Sequence, residues 1–212
     1  MATMTQEDAV SDMDSARKYA ERHKNYVNFM YRGILKDIKA SGISGKYLEV
    51  GAGPGLLAVR LAQQNPEINI TAIDLSPDMA TVANEYISQN GLENRIRYIV
   101  GDVNDEEMLQ NLGKFSFVYS TFSLHDWKAP EEALRNLWNL VEDDGTLYIY
   151  DFRRIGWLCS LPFKGRDIAA MRASYSPNEM RAIFDRIAIP DCRITAGFPF
   201  LFQSVSARKC LR

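Results

Sequence analysis

Glu49-Val50-Gly51-Ala52-Gly53-Pro54-Gly55 sets an acid two residues ahead of three glycines placed at every second position. Glycines so spaced open backbone angles closed to other residues and let a ligand approach the main chain, while the start of a helix just after them favours electronegative groups. The spacing also separates the candidate ligands. A dinucleotide turn needs its third glycine three positions after the second, where this chain has Leu56, and a phosphate-gripping loop needs a Lys-Ser or Lys-Thr pair that does not follow here. Two further acids, Asp74 and Asp102, stand just after apolar runs farther along. One of only two histidines, His125, lies in Ser120-Thr121-Phe122-Ser123-Leu124-His125-Asp126-Trp127, and an imidazole titrates near neutral pH.

These residues need a scaffold. The run Tyr47-Leu48-Glu49-Val50 ends in the glycine cluster and precedes a helix-like stretch from Leu56, which reads as strand, tight turn and helix. The pattern repeats. Residues 69–74 are strand-like, Ser76-Pro77-Asp78 opens a helix with the stripe Met79, Val82, Ala83, Tyr86 and Ile87, and Gly91 closes it. A strand over 95–100, a short helix over 106–112, a strand over 115–120, a helix with the stripe Leu134, Leu137, Trp138 and Val141, and a strand over 146–152 follow. Five strands alternating with helices predict a doubly wound α/β domain with a mostly parallel sheet and helices on both faces. Downstream come an irregular segment over 153–175, a helix opened by Ser176-Pro177, and two runs, 192–197 and 200–208, that pair as an antiparallel hairpin. Upstream, Ala16, Tyr19, Ala20, His23, Val27, Met30, Ile34 and Ile38 form the stripe of one amphipathic helix, or two broken at Gly33.

The glycine run resembles motif I of the class I S-adenosylmethionine (SAM) dependent methyltransferases, the order of elements extends the resemblance from residue 46 onward, and the segment from Ser120 to Trp127, with its Leu124-His125 pair, resembles the branch that acts on small molecules. The family's seventh strand lies antiparallel beside the fifth, so the terminal hairpin completes an expected seven-stranded sheet. The resemblance implies SAM as cofactor, leaving as S-adenosylhomocysteine. It implies that Glu49, Gly51, Ala52, Gly53 and Gly55 hold the methionine part, that Asp74 and Leu75 take the ribose, that Asp102 and Val103 read the adenine edge, and that Ser120 closes the site. A carboxylate at Asp74 can accept both ribose hydroxyls at once.

Methyl transfer is an in-line displacement that gains from alignment, exclusion of water and, for a protonated nucleophile, a base. His125 is the candidate base, with a structural histidine as the other reading; Asp126 orients it or caps the next helix, and Trp127 walls the acceptor pocket or packs in the core. Residues 1–45 are expected to fold over the site as a helical lid within a single 1–212 domain, with Tyr19 against the cofactor and Tyr26, seven residues on, against the acceptor. Residues 153–175 are expected as the substrate cap. This cap holds Arg153, Arg154, Lys164, Arg166 and Arg172 against one acid, Asp167, with Trp157 and Phe163 between them. Such a patch suits an anionic small molecule, a phosphate backbone or a solvated face.

Composition narrows the field. The 212 residues are 46% hydrophobic and 25% charged, the balance of one folded domain, and the net charge of -2 speaks against nucleic acid as the partner. The first fifteen residues lack the basic and apolar regions of a secretory signal, and no apolar run is long enough to span a bilayer, so a cytoplasmic protein without a membrane partner is expected. Cys159, Cys192 and Cys210 form no metal-ligand pair, so reduced thiols and no metal site are expected. The function expected is methyl transfer from SAM to a small molecule; an RNA methyltransferase using the basic segment after residue 152, or a SAM-binding protein without catalysis, are the alternatives. Oligomeric state is not readable from the sequence.

Overall fold

The computed structural model describes residues 12–197 and 200–210; within the first helix the side chains of residues 25–28 fall outside the description. Seven strands, β1 (Gly45–Val50), β2 (Ile68–Asp74), β3 (Ile96–Val100), β4 (Phe115–Thr121), β5 (Val141–Phe152), β6 (Arg193–Ala196) and β7 (Phe202–Arg208), form one sheet in the order β3-β2-β1-β4-β5-β7-β6. The first five run parallel, and β7 lies antiparallel between β5 and β6. This is the class I methyltransferase topology that the hairpin pattern anticipated. β1 is central because Tyr47, Leu48 and Val50 leave water altogether, each contributing about 1.5–3 kcal/mol if fully buried.

Helices cover both faces. On one side α2 (Arg32–Ser41), α3 (Leu56–Gln64), the end of α4 (Pro77–Gln89) and α8 (Arg166–Ala173) enclose Ile34, Leu57, Ile70, Tyr119 and Tyr150. On the other, α5 (Glu106–Gln110), α6 (Pro130–Leu140) and α9 (Pro177–Arg186) enclose Leu48, Val118, Leu137, Ile149 and Phe184. Local signals act as their chemistry dictates. Ser76 accepts from the Met79 N–H at 3.2 Å with Pro77 at the first helical position, and Ser176 forms a reciprocal capping box with Glu179.

Three boundaries differ from the sequence reading. The break between α1 (Met13–Met30) and α2 falls at Tyr31, and Gly33 lies inside α2, where its lack of a side chain makes room for the Tyr150 hydroxyl, 3.0 Å from where a Cβ would stand. Val141 opens β5 instead of closing the α6 stripe; the chain leaves the helix there, and Val141 is buried beside Phe115. The segment after β5 is also less irregular than expected, containing α7 (Gly156–Cys159) and α8, whose short apolar faces pack on the sheet through Leu158, Ala170 and Met171. The α1 helix packs on α4 through Ala16, Ala20, Met79 and Val82, and Arg17 clamps Glu85 of α4 by two hydrogen bonds of 2.8 and 2.7 Å.

Candidate active site

The carboxyl ends of β1 to β5 carry the candidate groups, where doubly wound sheets bind ligands. β1 delivers Glu49, 1% exposed, between Ala72 of β2 and Tyr119 of β4. Its Oε2 and the Tyr119 hydroxyl are both buried without a well-formed hydrogen bond. Burial pushes the carboxyl up to about 8, eased by the neighbouring Tyr119 hydroxyl and raised further by the charge of Asp74. A buried carboxyl without a cation is costly in its ionised form, so the site is chemically matched to a ligand bringing positive charge.

The turn after Glu49 has the geometry its glycines permit. Gly51 is in the left-handed region at φ 71°, and a Cβ there would stand 2.1 Å from the Ser123 side chain, so glycine lets the loop after β4 close against the turn. Gly53, at φ 52°, has open space where its Cβ would be, and Gly55 stands at the N-cap of α3 beside the buried Ala52. Asp74, ending β2, accepts the Gly53 N–H at 2.8 Å on one oxygen and the Ser76 N–H at 3.0 Å on the other. Burial raises its pKa and these two bonds oppose the rise. Each oxygen keeps a lone pair for a further donor.

Tyr98 steadies the turn from β3 by donating to the Gly53 carbonyl. Leu75 is 63% exposed beside Asp74. Asp102 accepts from both the main-chain N–H and the side-chain amide of Asn104, at 2.9 and 3.0 Å. Val103, the next residue, is buried in the core. Ser120 is buried at the end of β4, opposite Val50, and its hydroxyl lacks a partner.

Two tyrosines, one on α1 and one at the break before α2, come near these strand ends. Tyr19 stacks on His23 with ring centroids 3.8 Å apart, and its hydroxyl is pushed up to about 12 by burial, with the charges of Asp74 and Asp126 adding to the rise and Arg166 opposing it. One phenol thus senses both the β2 end and the loop after β4. Tyr31, at the helix break, packs on Phe122 and is likewise raised by burial, near Tyr19 and Glu49. The side chain of Tyr26 lies outside the described residues.

His125 sits in a single 3-10 turn, Leu124–Asp126. Its Nδ1 meets the Asp151 carboxylate at 2.9 and 3.1 Å, its main-chain N–H donates to the same carboxylate at 3.2 Å, and its Nε2 lies 3.5 Å from Asp126. Burial alone would lower its pKa, but the bond to Asp151 and the charges of Asp151 and Asp126 outweigh it, so the imidazole stands above its ordinary value. Asp151, 4% exposed on β5, is the partner that sequence reasoning missed. The signal was an acid among apolar neighbours near a strand's carboxyl end, the feature that singled out Asp74. Trp127 packs against the core and donates from its indole to Ser123 at 2.8 Å.

The cap is less basic than its composition. Arg154 pairs with Glu179, and Arg172 donates to the carbonyls of Cys159, Leu161 and Phe163. Lys164 and Arg166 remain exposed, while Asp167 lies 3.9 Å from Arg22 of α1.

Residues 48–147 match the family model of a methyltransferase domain. The N,N-dimethyltransferase OxyT of Streptomyces rimosus is 28% identical over 142 residues, 66% of this chain and 40% of that protein. The chain spans 26 to 53% of the length of four curated relatives that it matches, OxyT among them. The fold is shared with a protein of Methanococcus maripaludis described as an S-adenosyl-L-methionine-dependent methyltransferase, at a TM-score of 0.74 and 23% identity over 95% of this chain and 94% of that one. It is shared too with the plantazolicin methyltransferase BpumL, solved with a triazolic desmethylPZN analogue and SAH, at a TM-score of 0.74 and 16% identity over 95% and 93% of the two chains. In strand order, ExGxGxG turn and domain match, the chain resembles the class I methyltransferases.

Proposed function

We propose that the protein transfers a methyl group from SAM to a small-molecule acceptor. The observation that carries this reading is the buried Glu49 carboxyl, its Oε2 without a hydrogen bond, ahead of a glycine turn and in line with Asp74 and Asp102 at the adjoining strand ends. Those groups fit the cofactor's parts. Glu49 would take the ammonium of the methionine end, the open face at Gly53 would admit its main chain, Asp74 the ribose hydroxyls and Asp102 the adenine edge. When bound, SAM supplies an electrophilic methyl on a sulfonium.

The remaining residues would prepare the acceptor. With its Nδ1 proton held by Asp151, His125 keeps an Nε2 lone pair on the Asp126 side, where it would accept a proton from the acceptor as the methyl arrives. Tyr19 and Tyr31 would exclude water from above and offer aromatic faces to a cation. A small acceptor is favoured over RNA because two of the cap's five cations are spent on internal bonds.

Transfer of labelled methyl from SAM into host-cell extract, resolved into small-molecule, RNA and protein fractions with an Asp74→Ala control, tests the reading. The expected result is label in small molecules that the control abolishes. Nuclease-sensitive label, or tight SAM binding without any transfer, would overturn it.

A further inference from the structure

Leu75, Val100, Phe29, Trp157, Phe163 and Phe200 are the exposed large hydrophobics among the described residues. Leu75 and Val100 flank the cofactor edge at the ends of β2 and β3. Trp157, Phe163 and Phe200, at 71, 52 and 70% exposure, belong instead to the cap and the turn before β7. The fold joins these two segments. The Arg153 N–H donates to the Leu201 carbonyl at 2.7 Å, and Leu158, Cys159 and Leu201 pack on the same core cluster. Arg172 ties the carbonyls of Cys159, Leu161 and Phe163 to α8, so the loop carrying the two exposed cap aromatics is fixed in place.

We propose that this face docks on the surface of an anionic lipid bilayer, inserting Trp157, Phe163 and Phe200 at the headgroup boundary while Lys164 and Arg166 meet the lipid phosphates. The argument is charge complementarity together with apolar reach. The cations left exposed on the cap follow Phe163 closely in the chain, Lys164 directly and Arg166 two residues later, and its one acid, Asp167, is 3.9 Å from Arg22. Tryptophan and phenylalanine tips beside lysine and arginine are the chemistry of interfacial binding. A nucleic acid would instead require a row of cations matched to successive phosphates, and Arg154 and Arg172 are withdrawn from such a row. The absence of any helix long and apolar enough to cross a membrane among the described residues is no objection, because a surface-bound protein needs none. The expectation of no membrane partner considered spanning and signal segments alone. This docking is independent of which acceptor is methylated.

Flotation of the full chain with phosphatidylcholine vesicles, with and without phosphatidylglycerol, tests the proposal. The chain is expected to float with the anionic vesicles and to be released in part by salt. Trp157→Ala and Phe163→Ala should each weaken partitioning about tenfold, and Lys164→Glu and Arg166→Glu by roughly fivefold each. SAM affinity, measured by calorimetry, should be unchanged in the Trp157, Phe163 and Lys164 variants, which shows that they fold; the Arg166 variant, whose charge acts on Tyr19, is checked by its melting temperature instead. No flotation at either composition would overturn the proposal, as would flotation indifferent to the aromatic variants. It would also fall if the same variants abolished self-association or RNA retention while vesicles were ignored, since the face would then belong to a second copy or to nucleic acid.

Discussion

On the β1–β2–β3 side of the carboxyl edge, polar groups are fixed by main chain close in sequence or on the next strand: Asp74 holds the N–H groups of Gly53 and Ser76, and Asp102 that of Asn104. On the β4–β5 side the arrangement depends on side chains from distant segments, His125 being oriented by Asp151 while Tyr19 of α1 feels the charge of Asp126. The first side is a socket whose shape follows from glycine spacing and strand ends. The second is assembled only after the sheet has formed. Such a division would let substitutions around β4 and β5 alter one side while the socket's main-chain bonds stay intact. Ser123 is where the halves touch, lying against Gly51 while accepting the Trp127 indole N–H.

The division predicts opposite kinetic signatures. His125→Ala is expected to lower kcat by about 10²- to 10⁴-fold with cofactor affinity unchanged, measured by methyl-transfer rates alongside calorimetric titration with SAM. A kcat equal to that of the parent would make His125 a packing residue. Asp74→Ala should do the reverse, weakening cofactor binding about 100-fold by loss of charge-assisted hydrogen bonds and loosening the Gly53 turn. Retained affinity would remove the ribose role from Asp74.

The legibility of the two sides follows from the range of their interactions. Glu49, the glycines and Asp74 are readable because strand, turn and helix succeed one another within a few residues, and local chemistry decides each. The Ser76-Pro77-Asp78 cap and the terminal hairpin are legible for the same reason. The Asp151 partnership is not, since it depends on β5 lying in register beside β4, with Ser120 opposite Ile149. Tyr31 carried no periodic signal because it interrupts the helix that the stripe described as continuous to Gly33. The cap's freedom to bind was misjudged by counting, since composition does not show that the Arg172 guanidinium is engaged by three nearby carbonyls.

Glu49→Gln sharpens the account of the socket through pH. The folded-state carboxyl, held at about 8 against an ordinary 4.5, keeps a proton that the unfolded chain releases, so this group lowers stability as pH rises from about 4.5 to about 8. The glutamine variant should therefore melt above the parent at pH 8, by a few kcal/mol at most, and match it near pH 4. Cofactor binding should move oppositely. An ammonium requires the ionised carboxylate, so the parent's SAM affinity should fall as pH drops below about 8 with release of a proton on binding, whereas Glu49→Gln should bind about tenfold more weakly and lose that dependence. Proton release, read by calorimetry in buffers of different ionisation enthalpy, decides the matter; its absence would mean that Glu49 does not meet the ammonium.

Asp151→Asn probes the other side with the smallest expected change. At saturating cofactor, kcat should rise with pH as the imidazole loses its proton, with a midpoint above the ordinary histidine value because Asp151 and Asp126 favour imidazolium. Asparagine keeps an acceptor for the Nδ1 proton but removes the charge, leaving burial as the dominant influence, so the midpoint should move to lower pH. The plateau should fall by about tenfold, since the imidazolium formed during transfer loses its counter-charge. The linked stability effect has a fixed sign. A raised histidine pKa stabilises the fold at low pH and ceases to do so as pH rises through it, so this contribution should be lost from the variant at acid pH and absent as a difference well above the midpoint. A pH limb that stays in place would assign it to another group and leave Asp151 holding only the main-chain N–H of the turn. A limb that moves while SAM affinity holds constant would establish that the β4–β5 side can be retuned without disturbing the socket.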